Sequence, residues 1–105
     1  MNLREALACG GVLIADGGLG TELQRLGIGT APGEEWNLAY PERVKSVHQL
    51  YVEAGSNLIT TNTFNANPMA LVRHGLADKL DEINRSAVEI AREAVAGRGR
   101  SKSVV

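Results

Sequence analysis

The sequence has 105 residues, 44% of them hydrophobic and 22% charged, an ordinary globular balance that excludes a disordered tail or a fibrous chain. Eleven basic residues against 12 acidic ones leave a formal net charge of -1, so no overall basic field gathers nucleic acid or an anionic membrane. At about 100–200 residues per domain this is one small domain at most, and a small, near-neutral ligand is the first expectation.

In chain order, Leu3 to Ala8 reads as a short helix closed by Gly10 and Gly11. Its acidic Glu5 and the lack of a long apolar stretch argue against a secretory signal. Cys9 is the sole cysteine, which excludes an internal disulfide and makes a cytoplasmic location the expectation. The longest apolar stretch, 11–15, falls far short of the roughly 18 residues that span a membrane. Residues 12–16 form the first predicted strand, a continuous apolar run of the kind that parallel strands buried on both faces show.

The turn Asp16-Gly17-Gly18-Leu19-Gly20-Thr21 ends that strand, and Thr21 to Leu26 is a predicted brief helix. Gly27 to Glu35 follows as a Gly/Pro-containing loop. Pro41 suits a first helical turn, Val44, Val47, Tyr51 and Ala54 repeat at spacings of three and four, and Gly55 supplies the stop. Residues 57–64 are the second predicted strand, rich in β-formers at its start and in hydrogen-bonding groups at its end, and Asn65 to Pro68 breaks it. A last amphipathic helix runs from about Asp78 to Ala96, Gly97 ends it, and Ser103-Val104-Val105 opens a third strand. The order predicts an α/β fold with right-handed crossovers and a parallel sheet. Two strands with two helices leave both sheet edges unpaired, so the chain reads as the opening of a larger α/β domain.

Two polar clusters, 16–21 and 60–65, sit at the C-terminal ends of the predicted strands, the end at which parallel α/β sheets bind ligands. The first is a poor phosphate cradle: Leu23 stands where the dinucleotide fingerprint needs its third glycine, no Lys-Ser/Thr follows, and Asp16 repels a phosphate. A carboxylate beside bare backbone N–H groups suits a zwitterion, with Asp16 toward the ammonium and the Gly17 and Gly18 amides toward the carboxylate. The bland alternative is a tight turn with no ligand. Alternation sends Thr61 and Thr63 to one face and Thr60 and Asn62 to the other, where their groups either bind a polar ligand or bond one another. The basic run Arg98 to Ser103 reads as a solvated connection, since no aromatic residues interleave with its charges.

The turn 16–21, the motif Glu35-Trp36-Asn37-Leu38 before Pro41, the stretch Ala54 to Asn67 and Ile83-Asn84-Arg85-Ser86-Ala87-Val88 together resemble the N-terminal part of the homocysteine S-methyltransferase family, over roughly residues 5–96. The resemblance implies a (β/α)8 TIM barrel of which about two of eight βα units are present, residues 1–105 being a truncated part of the homocysteine-binding domain. It implies methyl transfer to the zinc-activated thiol of homocysteine, forming methionine. Asp16, Gly17, Gly18, Thr61 and Thr63 are then the expected substrate-binding residues. Thr60 departs from the Glu or Gln that the family often has before this threonine.

The resemblance also implies zinc held by three cysteines of later strands, and none of these is in the sequence. Cys9 precedes the first strand, and His48 and His74 lack ligand spacing. No metal ligand and no catalytic residue is therefore assigned, the methyl donor stays open, and the chain alone is expected not to transfer methyl groups. Homocysteine is the expected partner, with no nucleic acid and no membrane, and the rest of a barrel or a second chain is expected to be needed. The alternative is a non-catalytic α/β interaction module that pairs through exposed sheet edges.

Overall fold

The computed structural model describes residues 2–29, 32–96 and 104–105, and 62% of these are helical. Helix α1 (Leu3–Ala8) starts on a reciprocal cap: Asn2 Oδ1 accepts the Glu5 N–H at 2.9 Å, and Glu5 Oε2 accepts the Asn2 N–H at 3.2 Å. Two otherwise orphaned donors are satisfied in this way. Helix α2 (Leu19–Arg25) begins two residues ahead of the expected Thr21, with Gly18 at its N-cap.

A 3-10 turn, Gly33–Glu35, runs into the short α3 (Trp36–Ala39), and α4 (Pro41–Ala54) follows directly. Pro41 occupies the first turn of α4, and Gly55 ends it at φ 104°, a left-handed conformation that a residue with a Cβ adopts only at a cost. Where a break was expected at Asn65 to Pro68, Asn67 instead caps α5 (Pro68–Val72), its Oδ1 accepting the Ala70 N–H at 3.0 Å. A second 3-10 turn, Ala77–Lys79, leads into α6 (Leu80–Ala96), the expected last helix. Its expected stop at Gly97 and the basic run 98–103 lie outside the described residues.

The most extensive helix pair is α4 with α6. Val44, Val47 and Ile90 from these two helices join Leu23, Ile28 and Trp36 in one buried cluster. Ile83, Ala87, Ala91 and Ala94 complete the buried side of α6, as the three-and-four spacing dictates.

The α/β expectation, and with it two βα units of a barrel, is overturned: among the described residues there is no strand and no sheet. The predicted strands 12–16 and 57–64 reduce to isolated parallel bridges, Ala15 with Leu58 and Leu58 with Val104. Side chains stop the ladder on both sides of the first bridge. Asn57 Oδ1 takes the Ile14 N–H at 3.0 Å, and Asp16 Oδ2 takes the Thr60 N–H at 3.0 Å, so polar side chains capture donors that a continued ladder would use. Beyond them the Thr63 N–H turns back to the Thr61 carbonyl at 2.9 Å. The apolar run is also uncovered, with Val12 87% and Ile14 59% exposed, whereas a strand buried on both faces would hide them. The alternative of pairing through sheet edges loses its basis with the sheet.

Candidate functional site

A cavity of about 410 Å³ opens between the turn after residue 15, the Gly33–Glu34 stretch and residues 60–65. It brings together Asp16, Gly17, Thr61 and Thr63, four of the five expected binding residues. Gly18, the fifth, is not among its lining residues.

Asp16 is fixed at both backbone and side chain. Its N–H donates to the Leu58 carbonyl at 2.9 Å, and Oδ2 accepts the Thr60 N–H at 3.0 Å. Among the described residues Oδ1 has no hydrogen-bond partner, which leaves its lone pairs open. The Thr61 and Thr63 hydroxyls meet at 2.8 Å because the Thr63 N–H turns back to the Thr61 carbonyl, not through strand alternation, and Thr60 and Asn62, expected on the opposite face, line the same cavity. One of their two hydroxyl protons is spent on that contact, and the other is available.

The turn is held from behind by α4. Tyr51 Oη donates to the Gly18 carbonyl at 2.8 Å, and a Cβ on Gly17 would lie 3.1 Å from the same oxygen. A Cβ at Gly17 would therefore crowd the tyrosine, which would have to give by a few tenths of an ångström. Burial, then the charges of Glu22 and Asp16, raise the Tyr51 pKa above its ordinary value, which keeps the phenol protonated as a donor. One turn earlier, His48 is fully buried with neither ring nitrogen hydrogen-bonded. Desolvation lowers its pKa, and the charge of Asp16 opposes that shift.

A buried amide pair anchors the other wall. Asn62 Nδ2 donates to Asn37 Oδ1 and to the Gly33 carbonyl, both at 2.9 Å. Asn37 Nδ2 donates to the Asn62 carbonyl at 2.9 Å and to the Ile83 carbonyl at 3.3 Å. This network ties the threonine segment to the 33–35 turn and to α6. Tyr51, Asn37 and Glu34 carried no functional expectation from the sequence. For Asn37 the motif Glu35-Trp36-Asn37-Leu38 was a signal, whereas Glu34 sat in what read as a loop.

The residues present do not fit the zinc that the resemblance implies. Among the described residues no group of three or more His, Cys, Asp or Glu side chains could hold a metal ion, and Cys9 is exposed after α1.

The sequence profile of the family described as homocysteine S-methyltransferase matches residues 13–105. The chain belongs to the homocysteine S-methyltransferase family. It is 36% identical over 91 residues to homocysteine S-methyltransferase 3 of Arabidopsis thaliana, covering 82% of this chain and 26% of that protein. It is 34% identical over 88 residues to a methionine synthase of Mycobacterium leprae, covering 77% of this chain and 7% of that one. The chain thus spans about a quarter or less of these relatives. Among solved structures, the metallated form of the homocysteine methyltransferase MmuM from Escherichia coli superposes with a TM-score of 0.82 at 26% identity, over 98% of this chain and 38% of that one. The family assignment thus stands on both sequence and backbone course.

Proposed function

We propose that this member of the homocysteine S-methyltransferase family holds the amino-acid end of homocysteine in the cavity beside Asp16. It serves as the substrate-binding part of an enzyme that methylates the homocysteine thiol to give methionine. Thiol activation and methyl donation fall to groups outside these residues. The observation that carries this reading is the convergence of Asp16, Gly17, Thr61 and Thr63 on one cavity.

The chemistry of that set suits a zwitterion. The unbonded oxygen of Asp16 accepts from the α-ammonium, and the free hydroxyl proton of the Thr61–Thr63 pair donates to the α-carboxylate, both as charge-assisted hydrogen bonds. The Gly17 amide supplies a further donor of the turn, which Tyr51 Oη holds through the Gly18 carbonyl. No described helix is long and apolar enough to cross a membrane.

Calorimetric titration of the chain with homocysteine tests the proposal. Binding is expected, and Asp16→Asn, which keeps an oxygen for the Thr60 N–H, is expected to weaken it roughly tenfold or more. Equal affinity in the two proteins would overturn the role of Asp16, and no binding to either would overturn the proposal.

A further inference from the structure

The cavity holds a second carboxylate that resembles Asp16 in how it is mounted. Glu34 lines the same cavity and is only 4% exposed. Its Oε2 accepts the Asn65 N–H at 3.1 Å, as Asp16 Oδ2 accepts the Thr60 N–H. Both acids are thus pinned through one oxygen by a backbone N–H of the same 60–65 segment.

Among the described residues each keeps a second oxygen without a hydrogen-bond partner. For Glu34 that oxygen is not sealed in protein, because the sealed, unpartnered side-chain atoms among the described residues are the two His48 nitrogens. Glu34 lines the cavity, and this oxygen is the one its backbone contact leaves unused. None of the ion pairs among the described residues involves Asp16 or Glu34, and no Lys, Arg or His is among the lining residues of the cavity.

A carboxylate taken this far out of water is costly unless a cation or further donors meet it. An α-ammonium has three N–H donors and can engage two carboxylate oxygens from different elements at once. We propose that Glu34 is a specificity-determining residue of the pocket, receiving the α-ammonium of the amino acid together with Asp16. This rests on the amino-acid reading of the cavity and adds the residue that makes the pocket select an amine-bearing ligand.

The test compares homocysteine with 4-mercaptobutanoate, which has the same thiol and carboxylate but no amine, by calorimetry on the full chain and on Glu34→Gln. Glutamine keeps an oxygen for the Asn65 N–H and removes the charge. The expected result is a roughly 10- to 100-fold loss of homocysteine affinity, with 4-mercaptobutanoate bound as well as before or better. Unchanged homocysteine affinity would overturn the proposal. So would an equal loss for both ligands, with or without a lower melting temperature, because that marks Glu34 as a structural brace. Failure of the unsubstituted chain to bind homocysteine overturns the underlying reading instead, which separates the two failures.

Discussion

Gly17 and Tyr51 illustrate how a single contact shapes this site. Gly17→Ala places a methyl group against the tyrosine hydroxyl, and overpacking of this kind costs about 1–3 kcal/mol. The variant is expected to melt lower and to bind homocysteine more weakly. Tyr51→Phe removes the nearest contact and keeps the ring carbons at 3.3 and 3.5 Å, so the double variant should recover part of the lost stability, as thermal melts of the four proteins will show. A double variant no more stable than Gly17→Ala would contradict the contact. Gly17 was visible in the sequence, but its contact was not, because Tyr51 lies on α4, far along the chain.

His48 gives a pH dependence with a definite sign. Burial holds its folded pKa below the ordinary 6.5, so the unfolded chain takes up a proton that the folded chain refuses. Its contribution to stability is complete above about pH 6.5 and is lost as the pH falls from there toward the folded pKa. Urea midpoints measured from pH 7.5 down to pH 5.5 should fall, and His48→Leu should flatten that slope. An unchanged slope in the variant would show that other groups carry it. Sequence spacing placed His48 on a helix; its complete burial follows from the packing around α4.

At the scale of elements, the Asn37–Asn62 pair couples three of them. Removing one amide strands buried partners, each worth about 1–3 kcal/mol. Asn62→Ala is therefore expected to lower the unfolding free energy by at least that amount and to disorder the Thr61–Thr63 wall. A change within about 0.5 kcal/mol would mean that water replaces the pair. The long helices α4 and α6 were legible from their periodicity and from Pro41 and Gly55. The short α3 and α5 were not, since four or five residues show too little of a repeat, although Asn67 and Pro68 carried a start signal that read as a break. The two predicted strands failed for a local reason. Asn57 and Asp16 spend their side chains on donors next to the bridge, and propensity does not reveal that competition.

For the whole molecule, composition pointed to one small globular chain, and the turn 16–21 with the 54–67 stretch pointed to the family that the profile match supports. The fold class did not follow, because the apolar run 12–16 has the composition of a covered strand and only the packing shows that Val12 and Ile14 are exposed. The cavity does not depend on a sheet. Asp16 and Thr61 need only the Ala15–Leu58 bridge and its flanking bonds to face one cavity. The most direct test of that claim is a titration of the 15N-labelled chain with homocysteine, followed by amide chemical shifts. Saturable shifts are predicted to concentrate at Asp16, Gly17, Thr61 and Thr63, with α1 and Cys9 unmoved. Shifts centred on α1, or none at saturating homocysteine, would contradict it.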